Sequence, residues 1–452
     1  MVTVAWFGNM DAITPDLIRQ LRDGIGLTAL IPDDYRVHHS GFRLAEELLE
    51  RSPLADWPHR PTVSHHRAVY GLAADAAPVF AGIVGPAYDD TRLLRVMEEA
   101  ARQGIEVWAH VGLWGYGGDI RPELGLVDDQ GQPIAKEDEQ WGVPMCPNDT
   151  VMRNWVAETL QAAVRQYGTP AIDLDHGHFP PLASFSGLFG CCCPRCAHQA
   201  RAWGYDWEAL LTALADLRRG VAGLGRAGFR RAAERAPDFA SFLVEVSGNA
   251  ALGDWFHFRV QSVTEHMRFI TEAIHRVRGD DCPVDSHIFP PSIAFLSGQD
   301  LPQWETAVDR ITPGWGPVVG WDECQLHSIG LWAERLCQWV PDLDEEEALH
   351  AVYRLLGYDA LAMPATVAGL RAGQFNKAEV VAHEIRRAGA CLSGSKPFLP
   401  PYRPIGLGPA EAEQWGDAVV GVGAAGLVTG GQLSPQVMHT MSAVVARLEG
   451  AN

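Results

Sequence analysis

The sequence is short of positive charge: 36 Lys and Arg stand against 56 Asp and Glu, a formal net charge of −20. Nucleic acids and anionic membrane surfaces are bound through a cationic footprint, so neither is expected as a partner. No run of about 18 consecutive apolar residues occurs, so no transmembrane helix is expected. The opening stretch, MVTVAWFGNMDAITPD, lacks the basic and apolar blocks of a secretory leader, which makes a cytoplasmic location the expectation. The 9 cysteines are odd in number and three are adjacent, a pattern of thiols or a metal cluster rather than a disulfide framework. Internal repeats and low-complexity tracts are missing. So is a glycine-rich phosphate loop after the first strand-like run, which argues against a dinucleotide-binding sheet.

What is present is material for a large core: 452 residues, 47% hydrophobic and 20% charged. That composition excludes a disordered chain. Short β-rich runs occur at 3–8, 27–31, 106–111, 171–175, 283–288, 308–312, 397–402 and 426–429. Between several of them lie amphipathic segments. Phe256, Val260, Val263, Met267, Ile270, Ile274 and Val277 recur four and three apart, one apolar stripe that predicts a helix over 255–277. Leu93, Met97 and Ala100 predict another over 91–103, stopped by Gly104. Asp149 or Thr150 caps a third, running to about 167.

Eight strands alternating with helices predict an α/β fold, a single (β/α)8 (TIM) barrel domain over 1–452 with long insertions after strands two, three and four. The count requires the run 79–84 to lie inside the first insertion; an open doubly wound sheet is the alternative. The connections 32–90, 112–149 and 176–254 all follow carboxyl ends of strands, the face where such barrels place active sites. The third, with a helical stretch at 207–219, is predicted to be a small helical, Cys-containing subdomain. Within it 220–235, rich in Gly, Ala and Arg, is expected to be mobile.

Strand alternation singles out the chemistry. In Ile172-Asp173-Leu174-Asp175 the aspartates share one face and the aliphatics the other. Asp285 and His287 share a face of the run 283–288, and Trp108 and His110 a face of the run 106–111. The helix-covered outer face wants aliphatics, so the polar set should point inward and converge at one mouth. Unpaired buried carboxylates cost several kcal/mol each, which a purely structural role would not justify. The plainer reading, that Asp173 and Asp285 only hydrogen-bond across the interior, stands beside it.

Cys146-Pro147-Asn148 before a helix, a strand ending in Asp within Ile172-Asp173-Leu174-Asp175-His176-Gly177-His178-Phe179-Pro180, and then Cys191-Cys192-Cys193-Pro194-Arg195-Cys196 form a pattern that resembles uncharacterised glycoside-hydrolase-like barrels. Gly298-Gln299-Asp300 leading to Val308-Asp309-Arg310-Ile311-Thr312-Pro313 looks like that group's next strand. The resemblance covers residues 100–315, with a weaker match over 424–430. His176-Gly177-His178 departs from it, standing where aromatic or basic residues are expected. The resemblance implies hydrolysis of a glycosidic bond by paired carboxylates on a small-molecule or oligosaccharide substrate, with no cofactor required for catalysis. Asp175 is then the nucleophile or stabilising carboxylate, and Asp285 or Glu323 the acid. Asp173, His110, His178 and His287 are candidates for substrate binding, although a lone loop histidine such as His178 is more often a surface residue. Of the 15 tryptophans, Trp114, Trp315 and Trp321 follow strand ends and are candidate sugar platforms, while Trp155 and Trp255 are expected in the core.

The cysteines carry a separate expectation. Cys193-x-x-Cys196, with Cys191 beside it and Cys146 in a neighbouring loop, suits a structural tetrathiolate zinc site; unligated thiols or a disulfide are the alternatives. For the function as a whole, His110, Asp175, Asp285 and His287 also have the composition of a divalent-metal site, as in metal-dependent isomerases, epimerases or hydrolases. A saccharide-binding barrel without turnover is the third reading. Homo-oligomerisation stays open.

Overall fold

The computed structural model describes residues 2–33, 91–112, 125–134, 144–175, 177–180, 185–313 and 321–451. Eight strands are described: β1 (Thr3–Asn9), β2 (Ala29–Asp33), β3 (Glu106–Val107), β4 (Ala109–Gly112), β5 (Ile172–Asp175), β6 (Val284–Ile288), β7 (Arg310–Pro313) and β8 (Gly426–Gly430). They form two four-stranded sheets, ordered β3-β2-β1-β8 and β4-β5-β6-β7, and every pairing is parallel. The fold is mixed α/β with parallel sheets.

The two sheets meet at both ends. The expected strand over 106–111 is split at Trp108 into β3 and β4; the Trp108 amide still donates to Leu30 O at 2.9 Å, and the Ala109 amide donates to Ala171 O. The expected strand over 397–402 appears as an extended segment with isolated parallel bridges, Phe398 to Ile311 and Pro401 to Val428. Prolines at 397, 400 and 401 have no amide hydrogen to donate, so a regular ladder cannot run through this segment. The Leu399 amide donates to Ile311 O at 2.9 Å and the Tyr402 amide to Val428 O at 2.9 Å.

The alternation of each strand separates two apolar clusters. Val4, Trp6, Leu30, Ile172, Leu174 and Val284 belong to the large cluster shared with the helices. Ala5, Phe7, Ala29, Ile31, Trp108 and Val428, on the opposite strand faces, form a small cluster of their own. Helix ends follow the local code. Thr14 caps Pro15–Ile25 by accepting from the Leu17 amide, and Asp149 caps Thr150–Tyr167 by accepting from the Met152 amide. The helix expected over 255–277 runs Ala251–Arg278, with Trp255 fully buried as anticipated. The 176–254 insertion is helical, through Pro194–Ala202, Trp207–Ala222, Arg226–Arg235 and Phe239–Ser247. The expectation of a mobile 220–235 is corrected: most of it is the helix Arg226–Arg235, whose Phe229, Ala232 and Ala233 are buried and hold it in place. The run 79–84 and the side chain of Trp155 lie outside the described residues. No helix among the described residues is long and apolar enough to cross a membrane.

Parallel pairing of β1 with β8 depends on Gly426, opposite Thr3. A Cβ at Gly426 would lie 1.9 Å from Thr3 O, a backbone atom that cannot rotate away. Gly426→Ala should therefore destabilise the protein by about 1–3 kcal/mol or more. Urea unfolding with a midpoint equal to wild type would show that the strands can separate without cost.

Candidate active site

Among the described side chains, the polar residues on the inward strand faces come from the second sheet. Register puts His110, Asp173, Asp285 and Arg310 side by side across β4, β5, β6 and β7. His287 and Thr312 are paired one step nearer the carboxyl ends, and Asp175, two residues beyond Asp173 on the same face, ends β5. Phe7 of the first sheet leans edge-on against His110, with ring centroids 4.7 Å apart, so the apolar cluster forms one wall of the site.

His287 is the centre of the charge network. Its Nε2 is 3.1 Å from Asp173 Oδ1 and its Nδ1 is 3.3 Å from Asp175 Oδ1. Two carboxylate charges at these distances favour the imidazolium over the neutral ring. Burial works against that charge, but Asp173 and Asp175 outweigh it and raise the His287 pKa well above its ordinary value. His110 spans the same two carboxylates. Its Nδ1 is hydrogen-bonded to Asp173 Oδ2, and its Nε2 is 4.0 Å from Asp175 Oδ2. Burial pushes Asp173 up, yet His287 and His110 more than reverse it and hold the carboxyl down to about 2.

Asp285 behaves in the opposite sense. Burial and then the negative charge of Asp173 push it up to about 7, against the hydrogen bond donated to its Oδ2 by Thr312 Oγ1 at 2.6 Å. Two neighbouring carboxyls in one layer thus take opposite charge states below neutrality, a division typical of sites that move protons. Exposure divides them further. The Asp173 and His110 side chains are 0% exposed and His287 9%, whereas Asp175 keeps 17%.

His178 is not a surface residue. It is buried, with Nδ1 2.6 Å from Phe179 O and its ring edge-on to Phe289. Burial lowers its pKa, partly offset by the Phe179 carbonyl and the charge on Asp175. Trp114 and Trp315 lie outside the described residues. Trp321 and Glu323 belong to the first turn of the helix Trp321–Trp339, with side chains outside the described set.

The four cysteines converge elsewhere. One sulfur atom from each of Cys146, Cys191, Cys193 and Cys196 lies within 4.8 Å of every other. Thr312, Phe7 and Arg310 join the site as residues that the sequence analysis does not single out. Thr312 and Arg310 share the inward face of β7 by simple alternation, a signal that was there to use. Phe7 sits in an apolar run and carried none.

No family model matches the chain, and no curated protein matches it. Among solved structures it is similar to the PgaB (BpsB) glycoside hydrolase domain from Bordetella bronchiseptica, at 10% identity and a TM-score of 0.47, over 99% of both chains. It is also similar to the beta-galactosidase from the psychrophilic Marinomonas ef1, at 11% identity and a TM-score of 0.49, over 99% of this chain and 59% of that one. A third likeness is to alpha-L-fucosidase isoenzyme 2 from Paenibacillus thiaminolyticus, at 13% identity and a TM-score of 0.43. This chain spans 49% of that enzyme's length. At such identities and scores none of these likenesses bears on the activity of this chain.

The charge states make stability depend on pH. A pKa of about 7 in the folded protein, against about 4 in an unfolded chain, means that Asp285 favours folding most at acid pH. Its contribution falls as pH rises through 7, by an amount on the order of a few kcal/mol. Asp285→Asn, neutral at every pH and still able to accept from Thr312, should remove that fall. Denaturant unfolding of wild type and variant at pH 4 to 8 tests it; parallel curves would mean that Asp285 is ionised throughout.

Proposed function

We propose that the chain is a (β/α)8-barrel enzyme that hydrolyses a glycosidic bond at the carboxyl ends of its strands, with Asp175 as the working carboxylate. Barrel closure is supported by the 397–402 segment, which is hydrogen-bonded to β7 on one side and β8 on the other. It is supported as well by the distinct apolar cluster on the inward strand faces.

The observation that carries the proposal is the clamp of His287 between Asp173 and Asp175. It holds Asp175 as an oriented carboxylate at the rim, and Asp175 has the most exposed side chain of the two clamped carboxylates and two histidines. A glycosidic bond breaks with positive charge building at the anomeric carbon, and a fixed carboxylate stabilises that charge without reorganising. A second carboxyl must protonate the departing oxygen as the carbon–oxygen bond breaks. Water then adds its hydroxyl to the anomeric carbon and returns a proton to that group. Asp285 is fully buried at the level of Asp173, whereas Glu323 follows the carboxyl end of β7 by ten residues. Glu323 is therefore taken as the proton donor, and Asp285 as the neutral partner that limits negative charge in the layer beneath Asp175. The chemistry calls on no cofactor. With a net charge of −20, a neutral or cationic saccharide suits the site better than an anionic one.

One observation favours a second reading. Ligand atoms of His110, Asp173 and His287 lie within 4.8 Å of one another, a set that a divalent cation could occupy. Against it, both nitrogens of His287 already face carboxylates. Metal analysis with chelator treatment separates the two: activity that survives chelation, with less than one equivalent of metal beyond any held by thiolates, excludes the cation.

Asp175→Asn should fold normally and lose about 100-fold or more in kcat on 4-nitrophenyl glycosides, the cost of one electrostatic or nucleophilic group. Glu323→Gln should lose most on alkyl glycosides, whose leaving groups need a proton, and least on the nitrophenyl series. A well-folded Asp175→Asn protein with near-normal turnover would remove Asp175 from the chemistry and leave Asp285 and Glu323 as the pair.

A further inference from the structure

The cysteine cluster is separate from the clamp of His287 and unused by the proposed hydrolysis. Cys146 precedes the helix Thr150–Tyr167, while Cys193 caps the helix Pro194–Ala202 and Cys196 lies in its first turn. A helix amino terminus favours thiolate over thiol, and a Cys-x-x-Cys turn aims both sulfurs to one side. The Cys146 sulfur is 3.3 Å from that of Cys196 and 3.7 Å from that of Cys193. Those separations are far too long for a disulfide, whose sulfurs stand about 2.05 Å apart. They approach the edge of a tetrahedron built on zinc–sulfur bonds of about 2.3 Å, which is about 3.8 Å.

The surroundings are arranged for sulfur that carries negative charge. The Val127 amide points at Cys191 Sγ from 3.5 Å, and Asn148 Nδ2 donates toward Cys196 Sγ at 3.4 Å. Asn148 is itself buried and fixed by Ser262 Oγ at 3.0 Å. Arg259 completes the set. Its side chain is buried, Nη2 donates to Gly187 O at 3.1 Å, and the guanidinium lies 4.4 Å from the centre of the Phe179 ring. Its Nε and Nη1 have no hydrogen-bond partner. A buried guanidinium left so poorly paired calls for negative charge nearby, and Cys191, four residues beyond Gly187, can carry it.

We propose that Cys146, Cys191, Cys193 and Cys196 bind one zinc ion as a tetrathiolate, and that Arg259 is the buried counter-charge for the resulting dianion. The zinc joins the loop before Thr150–Tyr167 to the start of the helical insertion. Arg259 extends that hold to Phe179, four residues past Asp175. The site is structural: four thiolates leave zinc no open position for a substrate.

The full-length native protein, purified without a metal-affinity step, should carry about one zinc per chain by elemental mass spectrometry. Titration with a mercurial should release that zinc to a chromogenic chelator as four thiols react. Exchange with cobalt should give the intense visible bands of tetrahedral cobalt thiolate. Cys193→Ser should lower both zinc content and melting temperature; if that variant does not fold, release and cobalt exchange on the native chain decide. Arg259→Met keeps every sulfur and should lose zinc to EDTA about tenfold faster, with Arg259→Lys in between. A metal-free native chain, or a cysteine cross-link found by mass spectrometry, overturns the zinc site. Zinc loss from Arg259→Met at the wild-type rate overturns the role of Arg259. Neither result touches the proposal for Asp175, which is read from glycoside turnover.

Discussion

Two carboxylates two residues apart on one strand face share a single imidazolium, and the arrangement of the candidate site follows from that contact. Asp173 is fully buried, and an uncompensated charge there would cost several kcal/mol. His287 answers it with one nitrogen and reaches Asp175 with the other. The same contact explains why Asp285 takes the opposite state. With Asp173 already ionised beside it, a second negative charge in the layer is disfavoured, and Thr312 donates to a carboxyl that stays protonated up to about 7.

The contact is possible because the strands divide their labour. The first sheet sends small and apolar side chains inward, among them Ala5, Phe7, Ala29 and Ile31. The second sends His110, Asp173, Asp285, His287 and Thr312, whose register is set by consecutive parallel pairings. Phe7 against His110 is where the halves meet. An apolar wall on one side lowers the local dielectric and strengthens the charge pairs on the other. On the outer face, Ile172, Leu174 and Val284 pack against helices, so sheet stability and site geometry rest on alternate residues of the same strands.

A second polar centre, the buried Arg259, lies beside Phe179. Phe179 touches Arg259 on one flank, and its amide donates to Ser297 O on the other. Gly298, at φ 78°, leaves room for the Phe179 ring, which a Cβ there would meet at 2.7 Å. Phe179 is therefore held by the helix Ala251–Arg278 and by the turn after β6. His178, buried against Phe289, belongs to that packing.

Much of this was legible in the chain itself, because period-two alternation is a local property. The inward placement of His110, Asp173, Asp175, Asp285 and His287 follows from which neighbours are aliphatic, and the strand runs follow from the same pattern. The cysteine spacing likewise signalled convergence. What alternation does not carry is distance between strands. Which histidine nitrogen meets which carboxylate, the opposite charge states of Asp173 and Asp285, and the hold of Thr312 all depend on register, which only pairing across sequence separations of 25 to more than 100 residues sets. The Gly, Ala and Arg content of Arg226–Arg235 does not reveal its order, since burial of Phe229 and its neighbours, not intrinsic propensity, holds the helix. Arg259 lies on the buried side of an amphipathic helix, and a charged residue there is distinguished from a solvated one only by its neighbours. The sequence alone determined which strand faces would carry the ionisable residues; tertiary packing decided how the charges on those faces are shared, because a buried ionisable group takes its state from neighbours that are distant in the chain.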